Sequence, residues 1–274
     1  NIQFDIFFIR GKGIRGYLKN LPMLRQILKK QDYKYVHAHF VFSSLLANLQ
    51  KKVPVISTFH GSDINKIRNR IFSAIVEIMS KKTIYVSRKL LKKALIKNSK
   101  KNYVIPCGVD LDLFKPRPKQ ESREKTGLKP NKKYILFSSS FTSKVKNCPL
   151  AEAAVSSLSH QDIELLELKN YNRDEVAVLM NAVDLALMTS FSEGSPQFVK
   201  EALACNCPVV STDVGDVREL IENIDGCFIT SFEVNDVADK IIKALEFNKA
   251  FNGRKYIKKL DNKNIAQKVI EVYS

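Results

Sequence analysis

DLALMTSFSEGSPQFVKEALACNCPVVS, residues Asp184–Ser211, decides how this chain folds. Val183–Met188 is an apolar run of strand length and Cys207–Ser211 is a second. Between them Phe198, Ala202, Leu203 and Ala204 recur at helical spacing. The pattern predicts a strand, a loop, a helix and a second strand. Ser195 is placed as the N-cap, its hydroxyl accepting a helix-end N–H, and Pro196 as the first helical residue, where its missing donor costs nothing. Asn206 closes the helix, because asparagine tolerates left-handed backbone. The amides of Gln197 and Phe198 are then left at a positive helix end, where a phosphate or an anionic sugar oxygen binds. Gly194 lets a ligand approach the backbone. Glu193 before the helix and Glu201 within it bracket this anion site. Two carboxylates beside an anion site suit a ligand that carries phosphates and hydroxyls together, such as a nucleotide-sugar. Taken alone, Glu201 reads equally as a solvated helix residue and Ser195-Pro196 as an ordinary cap.

With 274 residues, 45% of them hydrophobic, and no low-complexity segment, the chain has enough apolar surface for one large or two ordinary domains. No apolar run approaches the roughly 20 residues that span a bilayer, and no secretory pattern opens the sequence. The expectation is a globular protein of the cytoplasm, at most peripheral on the inner face of the cell membrane. Asn1 is not an initiator Met, so an incomplete amino terminus is expected. Cys107, Cys148, Cys205, Cys207 and Cys227 contain no CxxC pair and are odd in number, which predicts free structural thiols in place of a disulfide framework or a zinc site. The net charge of +17 is unevenly spread. Up to Pro106 there are 22 Lys and Arg against 4 acidic residues (Asp5, Asp32, Asp63, Glu77), a net +18. Such asymmetry points that half toward an anionic membrane surface, a phosphorylated polysaccharide precursor or nucleic acid. A merely solvated charged surface is the plain alternative.

Along the chain, Phe4–Ile9 reads as a buried strand, followed by a glycine-broken loop and a helix over Tyr17–Lys30. Tyr35–His39 and Pro54–Phe59 read as strands around a Ser43–Gln50 helix. His60 then sits before Gly61 at the carboxyl end of a strand, where open α/β sheets collect ligands. His37 and His39 share a strand face, but no carboxylate lies at ligand spacing, so no metal site is expected. Basic amphipathic helices are expected over Ile67–Lys81 and Arg88–Asn98, with a strand Thr83–Val86 between them. Lys115–Lys133, Pro-rich and charged, reads as the linker and lead-in to the second domain. After it come the strand that opens YILFSSSFTSKVKNCPLAEAA, a helix Pro149–Leu158, a strand Glu164–Leu168, and a helix Asp174–Ala182 capped by Asn172. Thr212–Leu220 is expected to make a turn and a capped helix, and Val234–Leu245 and Ile257–Tyr273 are expected to close the chain as helices.

S-E-G-S-P followed by K-E-A-L-A and C-P-V-V-S resembles the E-x7-E element of the GT-B glycosyltransferases of family 4, with Glu193 and Glu201 at its two glutamates. His60-Gly61-Ser62-Asp63 and PCGVDLDLFKPRP are similar to further elements of that family, with Cys107 in place of the usual Asn. The resemblance implies two Rossmann-like, doubly wound α/β domains facing across a cleft. Residues 1–108 would form the acceptor-side domain, lacking a first strand and Gly-rich loop. Residues 109–255 would form the nucleotide-sugar-binding domain, and 256–274 a helix packing back on the first. It implies a retaining hexosyltransferase that needs no metal and no cofactor beyond its donor substrate. Lys146 would neutralise the donor diphosphate, Glu193 would meet the donor sugar, Glu201 the ribose, and His60 the donor sugar or its phosphate. Ser139 and Ser140 stand where relatives carry a Gly-Arg pair, so one expected cation is absent. The implied partners are a nucleotide-sugar and a glycan or lipid-linked acceptor, with no nucleic acid, in the synthesis of a bacterial cell-surface polysaccharide or lipopolysaccharide. The alternatives are a non-catalytic remnant of the fold and a basic nucleic-acid-binding protein, against which no recognition module stands in the first half.

Overall fold

A computed structural model describes residues 2–158, 162–247 and 251–274. The chain divides into two compact units, Asn1–Ile105 with Val269–Ser274 and Pro106–Lys268. Each is built on an open sheet whose strands are all parallel, as expected for an α/β protein.

In the first unit, helices α1 (Gly13–Leu18) and α2 (Leu21–Lys30) precede strand β1 (Val36–His39). Helix α3 (Val41–Leu49), strand β2 (Val55–Phe59), helices α4 (Ser62–Asn65) and α5 (Ile67–Met79), strand β3 (Lys82–Tyr85), helix α6 (Arg88–Lys93) and strand β4 (Asn102–Val104) follow. The strands lie in chain order, β1-β2-β3-β4. The central strand β2 is buried throughout, because neighbours on both edges and helices above it leave no solvated face. Its polar members are satisfied: Ser57 Oγ meets Ser80 Oγ at 2.8 Å and Thr58 Oγ1 meets His37 Nε2 at 2.7 Å.

Three expectations fail here. Phe4–Ile9 is not a strand: no described strand pairs with it, and Phe4, Ile6 and Phe8 lie in solvent. The helix expected over Tyr17–Lys30 is two helices, since Pro22 sits at the start of α2 and cannot continue α1. Helix α6 stops at Lys93, short of Asn98. Lys89, Lys93 and Lys97 repeat at i,i+4, and like charges at that spacing weaken any continuation.

In the second unit, helix α7 (Lys119–Thr126) leads into strand β5 (Lys133–Phe137), helix α8 (Cys148–Ser156) and strand β6 (Ile163–Glu167). Helix α9 (Arg173–Ala182), strand β7 (Leu185–Met188), helix α10 (Gln197–Ala204), strand β8 (Val209–Thr212), helix α11 (Val217–Ile221), strand β9 (Phe228–Thr230), helix α12 (Val234–Leu245) and helix α13 (Arg254–Ile257) complete it. Helix α14 (Asn262–Tyr273) begins in this unit and ends in the first. The core joins Ile135, Phe137, Leu185, Leu187 and Val210 of the sheet to Ala151 and Ala154 of α8 and Val237 and Ile241 of α12. Asn172 caps α9 through a reciprocal box with Glu175, as its sequence predicts. Lys115–Lys133 leads into this unit as expected, but it is part of the unit and not a free linker. It contains α7, whose buried Arg123 reaches Asp184 at 2.7 Å and the Ala182 carbonyl at 3.0 Å.

The sheet order β6-β5-β7-β8-β9 positions the site. From β5 the chain steps to β6 on one side and then crosses back to β7 on the other. The reversal opens a crevice at the carboxyl ends of β5 and β7, where ligands of open α/β sheets bind.

Candidate active site

Two loops leave that switch point. The loop after β5 ends in a short 3-10 turn, Lys144–Lys146, and the loop after β7 runs Thr189–Pro196. Polar bonds sew them together. Thr189 Oγ1 donates to the carbonyls of Lys146 (3.0 Å) and Asn147 (2.9 Å), and the Phe191 N–H donates to the Val145 carbonyl (2.9 Å). The Lys146 ammonium is thereby delivered to Glu193, with Nζ 2.7 Å from Oε1 and both side chains half-buried. Ser140 takes a different direction, its hydroxyl donating to Glu167 Oε1 at 2.8 Å beside the Phe141 N–H at the same distance. These two donors hold the Glu167 carboxyl below its ordinary range. Ser139 is half-buried beside it.

Helix α10 begins at Gln197, with Pro196 as N-cap and Asn206 left-handed (φ 57°) beyond its end. Asn206 closes the helix as expected, but Ser195 does not cap it. Its hydroxyl donates to Asp216 Oδ2 at 2.6 Å and accepts from the Cys107 N–H at 3.2 Å and from the Lys200 ammonium. Lys200 is completely buried, with Nζ 3.3 Å from Asp216 Oδ2. Asp216 is the residue before α11, yet its side chain makes no cap bond there; it is turned inward, and burial raises its carboxyl above the ordinary range against the pull of Lys200. Gly215 completes the clamp. It is left-handed (φ 55°), and a Cβ on it would lie 2.6 Å from the Gly194 carbonyl, so only glycine fits where the two loops press together. Among the described residues no backbone carbonyl accepts from the Gln197 or Phe198 N–H, as the first turn of a helix requires. Gly194, Pro196 and Phe198 are buried and Gln197 is exposed.

Glu201 lies one turn further along α10. It is largely buried and faces Arg173 at the start of α9, with Nη1 3.3 Å from Oε1. Burial raises its carboxyl while Arg173 works the other way. The Arg173 guanidinium stacks over Phe114, 5.1 Å from the ring centre. Lys146, Glu193, Gly194, Ser195, Pro196, Gln197, Phe198, Glu201, Ser139 and Ser140 therefore all belong to the second unit.

His60 belongs to the first. The carboxyl ends of β1 and β2 lie side by side, His39 opposite Thr58. Asp63 pins the turns that follow by accepting from the Val41 N–H at 2.7 Å and the His60 N–H at 2.8 Å. His60 Nε2 meets His39 Nδ1 at 2.8 Å, the His39 ring stacks on His37, and His37 Nδ1 meets the Tyr273 hydroxyl at 2.6 Å. Burial first, and the neighbouring imidazoles second, hold His37 at about 3 and His60 at about 4, and burial lowers His39 as well. All three are thus neutral at pH 7. In the unfolded chain each protonates near 6.5, so between that value and about 4 the unfolded state binds more protons. Stability should be lost as pH falls through that window, by up to about 1.4 kcal/mol per unit for His37 and likewise for His60. Urea midpoints between about pH 7.5 and about pH 5 check this, and His37→Gln should flatten the decline; an undiminished slope in the variant contradicts it.

The cysteines are free, four of them buried and Cys107 half-buried. Burial pushes the Cys148 thiol to about 11 and those of Cys205 and Cys227 to about 12. That makes them poor nucleophiles.

Sequence reasoning missed Lys200 and Asp216. A signal was present: α10 is flanked by two buried strands and is apolar on most sides, so a lysine between Val199 and Glu201 has nowhere to reach water.

The family descriptions Glycosyltransferase Family 4 and Glycosyl transferases group 1 match residues 3–113 and 149–246. An uncharacterized glycosyltransferase of Methanocaldococcus jannaschii is 29% identical over 294 residues, covering 96% of this chain and 81% of its own length. The UDP-Gal:alpha-D-GlcNAc-diphosphoundecaprenol alpha-1,3-galactosyltransferase of Escherichia coli is 26% identical over 272 residues, covering 83% and 69%. Among solved structures, Anabaena Alr3699/HepE in complex with UDP and glucose superimposes with a TM-score of 0.78 at 19% identity, over 97% of this chain and 84% of that one. The fold is GT-B, and the chain belongs to the family 4 glycosyltransferases, the glycosyl transferases group 1.

Proposed function

We propose that the chain moves a hexosyl group from a nucleotide diphosphate sugar to an acceptor hydroxyl with retention at the anomeric carbon, using no metal ion or other cofactor. The observation that carries this reading is the Lys146–Glu193 pair, 2.7 Å apart, on the rim of the β5/β7 crevice just ahead of the α10 amino terminus. Breaking a sugar–phosphate bond demands stabilisation of a leaving diphosphate and of a cation-like sugar. A fixed ammonium and oriented amides supply the first without solvent reorganisation. In this reading Lys146 and the Gln197 and Phe198 amides receive the diphosphate. Glu193 holds Lys146 in place and faces the sugar hydroxyls. Glu201, held by Arg173 at 3.3 Å, accepts from the ribose hydroxyls. The E. coli relative is named for a UDP-sugar donor and a diphosphoundecaprenol-linked acceptor. That name supports a nucleotide-sugar donor and a glycan or lipid-linked acceptor here, in cell-surface polysaccharide or lipopolysaccharide synthesis.

The test is a panel of nucleotide-sugars offered to the chain in EDTA, with the anomeric configuration of any product read by NMR. Turnover that survives chelation and gives the donor's own configuration is expected. Loss of turnover restored by Mg²⁺ or Mn²⁺, or an inverted product, contradicts the reading. Glu201→Ala should weaken donor binding by about 1.5–3 kcal/mol with the fold intact, since it removes charge-assisted hydrogen bonds. Unchanged calorimetric affinity rejects the ribose role.

A further inference from the structure

Helix α5 of the first unit is amphipathic in the inverted sense. Its inward face is held by polar bonds: Ser73 Oγ donates to the Asp63 carbonyl at 2.9 Å, the Tyr85 hydroxyl to Glu77 Oε2 at 2.6 Å, and Asn102 to Glu77 Oε1 at 2.7 Å. Rotating the helix would strand each of these buried groups, so its orientation is settled. The opposite face, at i, i+4, i+8 and i+11, consists of Ile67, Ile71, Ile75 and Ile78, which are 76, 61, 41 and 66% exposed. Four isoleucines in line on a solvent face is a contiguous apolar patch of the kind that marks an interaction surface.

The charges around it identify the partner. Lys66 and Arg68 flank the amino end of the stripe and are exposed. At its carboxyl end Met79 opens into a groove of about 680 Å³ lined by Lys51, Lys52, Lys81 and Lys101. The only acidic residue of α5, Glu77, is buried on the other side. The stripe therefore runs between two basic rims with no negative charge of its own. A second copy of this chain would bring like charges together. A bilayer with anionic headgroups satisfies both features, taking the isoleucines into the headgroup–acyl boundary and the lysines onto its phosphates. No described helix is long and apolar enough to cross a membrane, so the contact lies in the plane of the interface.

We propose that α5 and the adjoining lysine groove form a docking face for an anionic lipid surface. This stands apart from the sugar-transfer chemistry and puts the contact on the first of the two basic amphipathic helices expected from the sequence, over Ile67–Lys81. The full chain should partition onto vesicles of phosphatidylcholine with phosphatidylglycerol and not onto phosphatidylcholine alone. Ile71→Gln/Ile75→Gln/Ile78→Gln should lower that partition by about 100-fold with an unchanged circular dichroism spectrum, because these side chains lie on the exposed face of α5. Lys66→Gln/Arg68→Gln should weaken binding and reduce its dependence on salt. The proposal is overturned if the isoleucine variant partitions like the parent, or if neutral vesicles bind the parent equally well. It is also overturned if sedimentation shows the isoleucine variant turning a stable oligomer into a monomer, since the stripe would then be a seat for a second copy.

Discussion

Replacing Lys146 with Ala should lower kcat by about 10² or more while leaving the fold and the unfolding midpoint close to the parent's. The side chain is half-buried on a rim, where it pairs with Glu193, so removing it leaves no cavity in the core. What holds the loop is backbone and hydroxyl: Thr189 bonded to the Lys146 and Asn147 carbonyls, Phe191 to Val145. Those bonds survive the substitution. The loss therefore measures the ammonium alone. Ser139 and Ser140 are neutral and Ser140 is turned toward Glu167, so neither replaces the lost charge. Lys146→Arg should restore part of the rate, since charge persists while the fit to Glu193 changes. A Lys146→Ala enzyme of parental kcat contradicts the assignment.

The larger effect on stability belongs to Lys200. Lys200→Met keeps the length and bulk of the side chain but leaves Asp216 facing Ser195 with no cation in a site without water access. Removing one partner of a buried pair typically costs about 3–5 kcal/mol, and the Asp216 carboxyl, already raised by burial against the pull of Lys200, should then rise further. Lys200→Met/Asp216→Asn removes both charges and should recover a good part of the loss. Denaturant unfolding checks both variants. Equal stabilities of parent and single variant would show that Lys200 is not an uncompensated requirement of the clamp. Donor affinity should fall along with stability, because Ser195, Gly194 and the amino end of α10 are held by the same clamp.

Much of this architecture was legible because it is local. The strand Leu185–Met188, the glycine-proline punctuation and the apolar period of Gln197–Ala204 are each written within a few residues, as are the Asn172–Glu175 box and the left-handed Asn206. The misreadings share one cause, a partner distant in the chain. Ser195 obeys the local rule for an N-cap, yet Asp216, 21 residues on, offers a stronger acceptor and Lys200 a charged donor. Arg123 looks like one charge in a solvated run until Asp184, 61 residues away, accepts from it. Phe4–Ile9 has strand composition, but pairing belongs to neighbours and none is described beside it. Asp216 and Lys200 each read as surface charges, and only their meeting makes a clamp. The isoleucines of α5 hide in an ordinary amphipathic period, because periodicity does not say which face turns inward. Glu77, bonded to Tyr85 and Asn102, decides that.

The central claim is that the crevice at the carboxyl ends of β5 and β7 receives the nucleoside diphosphate end of a donor. Amide-resolved NMR titration of the isotopically labelled full chain with nucleoside diphosphates tests it most directly. The account predicts saturable shifts concentrated at Lys146, Glu193, Gln197, Phe198 and Glu201, weakened in Glu201→Ala. Saturation that leaves those amides unmoved and instead shifts residues around His37, His39 and His60, or no saturable shift with any nucleotide, would contradict it.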